Sequence, residues 1–136
     1  MQEFRKERHS VSRIIAHLVC VTKYRRAVFD DAAILWLQGH CKKVCKAMGA
    51  QLLALDGEID HIHLLIEYPP KLSVSVLVNA LKGTSSRLLR ASRPDIAGKY
   101  WRGVLWSPSY FAVSAGGAPL ATIKQYVEAQ RTAKTP

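Results

Sequence analysis

The sequence predicts an α+β domain, and two patterns of apolar residues lead to that prediction. Stretches in which apolar side chains alternate, such as residues 13–22, are typical of β-strands. Stretches in which they recur at intervals of three, four and seven residues, such as residues 30–48, are typical of helices that pack against a core. The chain has 136 residues, 49% of them hydrophobic, and this length corresponds to one domain with a core that needs no disulfides.

The charge of the chain is strongly positive. Twenty Lys and Arg residues stand against ten Asp and Glu residues, which gives a formal net charge of +10. Such an excess favours anionic partners, either nucleic acid or an anionic membrane surface. Apolar runs fall well short of the roughly 18 residues of a membrane span, and no basic amphipathic helix stands out. We therefore expect no membrane partner and favour nucleic acid.

The cysteines indicate the compartment. Cys20, Cys41 and Cys45 are odd in number and form no CxxC motif, which is typical of reduced thiols in the cytoplasm. Cys41 and Cys45 lie one helical turn apart beside His40, a spacing that a metal site could use. The simpler interpretation is that both are small residues of a helix core.

The sequence of the first part of the chain predicts an arm, a strand and a helix. We expect residues 1–12 to form a mobile basic arm, and residues 13–114 to form the core of the domain. The first core strand covers residues 13–22. The helix that follows should be capped by Asp30 or Asp31 and run to about Met48, where a glycine ends it.

The middle of the chain predicts two strands, at residues 51–56 and about 59–68. We expect Gly57 to form the turn between them, and two prolines after the second strand to stop it. A second helix fits residues 73–92, and a last core strand lies around residues 109–114. The order β-α-β-β-α-β is the split βαβ plan of ferredoxin-like and RRM-like domains, an antiparallel sheet with two helices on one face.

A glycine-rich segment separates this core from the end of the chain. Residues 115–119 should form a hinge, in which Gly116 and Gly117 supply conformational freedom. A last helix is expected at residues 120–133. Arm, core, hinge and last helix together make one domain of residues 1–136.

His61 and His63 are the most specific chemical feature of the sequence. Alternate residues of a strand share a face, so both imidazoles project from the same side, about 7 Å apart at the backbone. The apolar residues between and after them then face the helix-covered core. Two imidazoles on an open face can bind one divalent cation. The competing interpretation is a chance pair of surface histidines, because the chain contains five.

Tyr126 and Gln130 form a second pair. They lie four residues apart on the expected last helix and therefore share a face. A phenol beside a cation and a polarised phosphate can attack phosphorus and form a covalent ester, and the Gln130 side-chain oxygen could complete a metal site. The alternative is an ordinary amphipathic helix whose tyrosine packs on the sheet. Tyr110 is a rival nucleophile, although we expect it in a strand.

Six basic residues lie between Lys82 and Arg102, and the aromatic residues Tyr100, Trp101 and Trp106 lie at and beyond the end of this stretch. Cations suit phosphates and aromatic rings suit unstacked bases, a combination typical of single-strand binding. The ten acidic residues are scattered, which disfavours a carboxylate-based two-metal nuclease, and there is no P-loop for a nucleotide cofactor. The residues that we expect to contact DNA are Arg13, Lys23, Arg25, Lys82, Arg87 and Arg90.

These motifs resemble those of a known family. His61-Ile62-His63 resembles the HUH motif, in which U is a hydrophobic residue. Together with the stretches DGEIDHIHLLIEYPP, LKGTSSRLLR, LWSPSYF and IKQYVEAQ, it makes the chain similar to the TnpA-type single-tyrosine transposases of small bacterial insertion sequences. The resemblance runs from about residue 12 to residue 130.

The resemblance implies a mechanism. His61, His63 and Gln130 would bind Mg²⁺ or Mn²⁺, and Tyr126 would be the nucleophile. The substrate would be single-stranded DNA with hairpin ends, cut through a 5′-phosphotyrosine and rejoined without a nucleotide cofactor. The resemblance also implies a homodimer in which the tyrosine helix of one subunit completes the site of the other, in trans. The protein would act in the bacterial cytoplasm, associated with the nucleoid when bound to DNA.

Other functions stay open at this stage. One is a non-catalytic module that binds single-stranded nucleic acid, since ferredoxin-like sheets often present aromatic side chains to bases. A second is an interaction domain in which the two histidines are ordinary surface residues. A third is a domesticated relative that processes repeats instead of moving an element.

Overall fold

The structure is a computed structural model that describes residues 4–115, and it confirms the α+β architecture. A short 3₁₀ turn at Lys23–Arg25 follows the first core strand. In chain order, the strands are β1 (Arg5–Glu7), β2 (Ser10–Ser12), β3 (Ile15–Val21), β4 (Gln51–Glu58), β5 (His61–Glu67) and β6 (Phe111–Ser114), and the helices are α1 (Asp31–Ala47), α2 (Val74–Ser92) and α3 (Pro94–Ala97).

Four strands form the central antiparallel sheet, in the order β4-β5-β3-β6. The two strands that α1 joins are separated by β5, and the two strands that α2 joins are separated by β3. This is the split βαβ arrangement that the sequence predicts. Apolar side chains of α1 and α2 pack with those of the sheet in one core, which includes Leu18, Leu37, Ile62, Leu64 and Leu77. Both helices therefore cover the same face.

Helix α1 begins and ends where its sequence predicts. The Asp30 side chain accepts a hydrogen bond from the Ala33 amide at 2.8 Å, and Gly49 adopts φ +78° after the last turn, a conformation that favours glycine. Cys41 and Cys45 are buried in the helix core. Burial raises the pKa of the Cys45 thiol to about 11, so it stays protonated and unreactive at neutral pH.

The turn between β4 and β5 lies at residues 59–60, two residues beyond the predicted position. Gly57 belongs to β4 and pairs with Ile62. A Cβ built on Gly57 would lie 2.6 Å from the His61 carbonyl oxygen and 2.9 Å from Ile62 Cγ2. The glycine is therefore needed for close approach of the two strands and does not form the turn.

The substitution Gly57→Ala is expected to destabilise the protein by about 1–3 kcal/mol, because the added methyl group meets backbone that cannot move aside freely. Gly83→Ala is the matched control. It places the same methyl group on α2, where nothing lies within 4 Å, and should stabilise by about 0.5–1 kcal/mol. Urea unfolding measures both. A Gly57→Ala variant as stable as the unsubstituted protein would contradict the close approach.

The segment expected to form a mobile arm contains two short strands in the residues that the structure describes. Residues 5–12 form the antiparallel hairpin β1-β2. Arg5 joins the hairpin to the end of β5, since its Nε and Nη2 donate to the Glu67 carboxylate at 2.7 and 2.6 Å. The sequence does not reveal this hairpin because each strand has three residues, too few to show an alternating pattern. The small helix α3 was likewise not expected.

Several predictions fall outside the described residues. They are the hinge from residue 116 onward, with Gly116 and Gly117, and the last helix at residues 120–133. Among the described helices, none is long and apolar enough to cross a membrane.

Candidate functional site

The face of the sheet opposite the helices carries His61 and His63. The residues that alternate with them, Ile62, Leu64 and Ile66, lie in the core beneath the helices, so the two imidazoles share the other face as the spacing predicts. Their ring centroids are 6.0 Å apart and their planes differ by 21°. Only 2% of His61 and 6% of His63 is exposed. The pair therefore sits at a protected point of the sheet and is not a pair of solvated surface histidines.

A third histidine adjoins the pair. His17 lies on β3, and its ring centroid is 5.7 Å from that of His63. It is 1% exposed. The sequence places His17 on a face of its strand, but it cannot show which residue of β5 that face meets. The register of β3 and β5 brings the three rings into one row, in the order His17, His63, His61.

Two carboxylates border the histidines on β4. The register places Asp56 opposite His63, and Glu58 opposite His61. The Asp56 Oδ1 atom accepts a hydrogen bond from the Gly57 amide at 2.8 Å, and Glu58 Oε2 lies 3.8 Å from His61 Nε2. Both acids lie close to the histidines in the sequence, but the pairing of β4 with β5 is what shows that they stand opposite them.

Asp60 binds His61 from the adjacent turn. Its Oδ1 atom lies 3.0 Å from His61 Nδ1, and its Oδ2 atom accepts hydrogen bonds from Arg25 Nε and Nη2 at 3.2 Å each. Burial acts to raise the pKa of Asp60, but the His61 hydrogen bond and the Arg25 charge outweigh it and hold that pKa below its ordinary value. The carboxyl group is therefore ionised at neutral pH and accepts hydrogen bonds only.

The histidine pair fits part of a divalent-cation site. His61 Nε2 is buried and has no hydrogen-bond partner among the described residues, and a neutral imidazole nitrogen is a ligand for first-row metals. Within residues 4–115, no group of three His, Cys, Asp or Glu side chains could hold a metal by itself. The two imidazoles can therefore supply two ligands of a divalent cation, and at least one more ligand must come from elsewhere. Gln130, the predicted ligand, and Tyr126, the predicted nucleophile, lie outside the described residues.

Two of the predicted DNA contacts, Arg25 and Lys82, hydrogen-bond to parts of the chain that are distant in sequence. Arg25 binds Asp60, as described above. Lys82 Nζ donates to the backbone carbonyls of Ser107 and Ser109 at 2.6 and 3.3 Å, so it holds the segment before β6 against α2. Hydrogen-bond partners so distant in sequence cannot be inferred from a run of basic residues.

The other predicted DNA contacts are spread over the surface. Arg87 is exposed on α2, and Arg90 donates from Nε to Ser86 Oγ at 3.2 Å. Lys23 Nζ lies 5.6 Å from the centre of the Tyr24 ring, and the Arg13 guanidinium lies over a second aromatic ring near the N-terminal hairpin. The structure does not gather these four residues into one cluster.

Sequence comparison finds transposases. The family described as "Transposase IS200 like" matches residues 10–130. The chain is 30% identical to the ISDra2 transposase TnpA of Deinococcus radiodurans over 128 residues, 94% of this chain and 91% of that protein. It is 34% identical to the transposase for insertion sequence element IS200 of Salmonella typhimurium, over 84% of this chain and 74% of that protein.

Solved structures show the same similarity. A crystal structure of a Deinococcus radiodurans R1 protein described as a transposase matches with a TM-score of 0.77 and 33% identity, covering 93% of this chain and 97% of the other. A REP-associated tyrosine transposase bound to a REP hairpin matches with a TM-score of 0.59 and 13% identity, over 93% of this chain and 68% of the other. At that identity, the second match shows the fold alone.

Proposed function

The chain belongs to the IS200-like family of Y1 transposases, and we propose on that basis that it cuts and rejoins single-stranded DNA at insertion-sequence ends through a 5′-phosphotyrosine. The observation that supports this most directly is the buried pair His61 and His63 on one sheet face, with an Nε2 atom that has no hydrogen-bond partner among the described residues. DNA binding and recombination belong to the family. What we propose in addition is the covalent phosphotyrosine step, the assistance of a metal ion and the recognition of DNA hairpins.

Tyr126 is the nucleophile of the proposed reaction. Its phenolic oxygen forms a bond to the scissile phosphorus, and the bond from phosphorus to the 3′ oxygen breaks. The 3′ oxygen takes up a proton and leaves as a free 3′-OH, while the 5′ phosphate stays on the tyrosine. A 3′-OH from another strand then attacks the same phosphorus and releases the phenol. One phosphate ester replaces another in each step, so no nucleotide cofactor is needed.

His61, His63 and Gln130 are the proposed ligands of Mg²⁺ or Mn²⁺. When bound, the cation acts as a Lewis acid that neutralises charge developing on the phosphate oxygens. The protein's own contribution is rigid placement, since both histidines lie within β5, which pairs with strands on both sides. Sites on paired strands hold side chains more tightly than sites on loops do.

Exposed aromatic and basic side chains near the 3₁₀ turn support a single-stranded substrate. Tyr24 is 70% exposed and Trp101 is 83% exposed. The Arg26 guanidinium lies 5.2 Å from the centres of both the Tyr24 and Tyr100 rings. Tyr24 is thus open to solvent beside a cation, so its ring can stack on an unpaired base while the cation binds phosphate, whereas the Tyr100 ring is buried. We propose that hairpin ends are recognised through such contacts, and that the protein acts in the bacterial cytoplasm on nucleoid DNA.

We further propose a homodimer in which the helix at residues 120–133 of one subunit completes the histidine site of its partner. Gly116 and Gly117 would let that helix change position between cutting and joining. Such a movement would carry a tethered DNA end from one site to the next.

The function can be tested with a labelled single strand that contains a hairpin and its flanking sequence, incubated with the protein and Mn²⁺. We expect a protein–DNA adduct that survives denaturation in detergent, together with a released strand bearing a 3′-OH. The fully duplex form of the same sequence and a reaction with EDTA are the controls, and neither should give the adduct. Hairpin binding without adduct or cleavage would contradict the proposal and support a non-catalytic binding module.

Replacing Gly116 and Gly117 together with alanine is expected to leave cleavage of a single end measurable and to reduce strand joining by about tenfold or more, an effect of roughly 1.4 kcal/mol. The double variant Gly39→Ala/Gly83→Ala is the control, because an added Cβ meets nothing within 4 Å at either position. Cleavage and joining are measured separately on the same gel. Equal loss of both steps in the Gly116/Gly117 variant would exclude the hinge.

A further inference from the structure

A chain of polar contacts runs from the 3₁₀ turn to the outer ring of the histidine pair. Arg25 donates from Nε and Nη2 to Asp60 Oδ2, both at 3.2 Å. The other carboxylate oxygen, Asp60 Oδ1, lies 3.0 Å from His61 Nδ1. Asp60 thus contacts one imidazole nitrogen directly, and Arg25, from a distant part of the chain, is linked to it through Asp60.

These contacts determine where the imidazole proton sits. An ionised carboxylate accepts hydrogen bonds and donates none, so the proton between the two groups belongs to His61 Nδ1. A neutral imidazole protonated on Nδ1 has its lone pair on Nε2. That atom is buried and has no hydrogen-bond partner among the described residues, and the carboxylate of Glu58 is 3.8 Å away, beyond hydrogen-bond distance.

The backbone conformation around Arg25 keeps its side chain next to Asp60. Tyr24 and Arg25 adopt φ values of +62° and +53°, a left-handed conformation that residues other than glycine seldom adopt. Thr22 fixes the turn beside them, since its amide donates to the Asp60 carbonyl at 2.9 Å, and its hydroxyl lies 2.8 Å from the Arg26 carbonyl and 3.1 Å from the Asp60 carbonyl. The segment before α1 is therefore tied to the β4–β5 turn at the residue that contacts His61.

We propose that Arg25 and Asp60 are positioning residues that hold His61 in its Nδ1–H tautomer, with Nε2 presented to the divalent cation. This rests on the proposed function, because it assumes that His61 is a metal ligand. It also gives Arg25 a role other than the DNA contact that the sequence suggests. Hydrogen bonds from the second nitrogen of a ligating histidine to a carboxylate commonly fix its tautomer and ring orientation, and their loss weakens metal binding.

The test uses the full-length protein and the variants Asp60→Ala and Arg25→Gln. In the metal-free protein, two-dimensional ¹⁵N NMR of the imidazole nitrogens reports which nitrogen of His61 carries the proton. We expect the Nδ1–H tautomer in the unsubstituted protein and a mixture of tautomers in Asp60→Ala. A separate Mn²⁺ titration, followed by electron paramagnetic resonance, should show binding weakened about 10- to 100-fold in Asp60→Ala.

Asp31→Ala is the matched control, because it removes an exposed carboxylate at the start of α1. It should leave both readouts unchanged. Circular dichroism checks that each variant is folded, and Arg25→Lys, which keeps the charge but loses the paired contact, is the milder variant for the same measurements. The His61 tautomer population and the Mn²⁺ affinity of Arg25→Lys should lie between those of the unsubstituted protein and those of Arg25→Gln.

The proposal is overturned if His61 keeps the Nδ1–H tautomer in folded Asp60→Ala, or if Mn²⁺ affinity there stays within about twofold of the unsubstituted protein, a difference of roughly 0.4 kcal/mol. Failure of the proposed function would look different. In that case the unsubstituted protein would form no covalent DNA adduct, whatever the tautomer of His61 in the metal-free state.

Discussion

Replacing His61 or His63 with alanine is expected to lower the rate of DNA cleavage at a fixed Mn²⁺ concentration by at least about 100-fold. A bound cation stabilises charge on a phosphoryl transition state by several kcal/mol, and each 1.36 kcal/mol is about tenfold in rate. Both histidines are proposed ligands, and both are buried on the same sheet face. Loss of either imidazole removes one of the two proposed nitrogen ligands.

The control for this prediction is His40→Ala. His40 lies on α1, where its Nε2 atom contacts Thr84 Oγ1 at 2.8 Å and its ring stacks on Trp36. Removing it alters the contact between the two helices but leaves the sheet face intact, so cleavage should be unchanged. Hairpin binding should persist in all three variants, because phosphate contacts dominate affinity for nucleic acid. Cleavage by His61→Ala or His63→Ala within about threefold of the unsubstituted rate, less than 1 kcal/mol, would contradict the metal site.

Replacing Tyr126 with phenylalanine is expected to abolish the covalent adduct and strand joining. Phenylalanine keeps the ring and loses only the oxygen that we propose attacks phosphorus, so the fold and the binding of hairpin DNA should be retained. The measurement is denaturing gel electrophoresis of the protein after reaction with labelled DNA. No adduct should be detected at any time point.

Tyr110→Phe is the matched control for the tyrosine. Tyr110 is 37% exposed next to β6, and Lys82 Nζ lies 5.8 Å from its ring centre. It is thus an accessible tyrosine beside a cation. We expect adduct formation by Tyr110→Phe to match that of the unsubstituted protein. An adduct that persists in Tyr126→Phe would move the nucleophile to another tyrosine, with Tyr110 the first to examine.

The two long helices could be predicted from the sequence because local signals decide them. Asp30 and Ser73 cap α1 and α2 with their side chains, as residues of this type do before an apolar stripe. The β4–β5 turn could not be located in this way. Gly57 suggests a turn by its identity, yet the structure requires it because the His61 carbonyl of the next strand approaches closely.

The histidine site was predictable only in part. The alternation of residues along one strand places His61 and His63 on one face, and that requires no knowledge of the neighbouring strands. His17 and Asp56 depend on strand register, which is set by pairing between distant segments. The basic cluster around Arg25 predicts phosphate contacts, but its actual partner, Asp60, lies 35 residues further along the chain.

The central claim is that Tyr126 becomes covalently joined to the 5′ end of cleaved DNA. The most direct test is mass spectrometry of the purified adduct after digestion with trypsin and nuclease. The account predicts a nucleotide phosphate attached to Tyr126 in the tryptic peptide of residues 125–131, between the cleavage sites after Lys124 and Arg131. A nucleotide attached to any other residue, or cleaved DNA with no attached peptide, would contradict it.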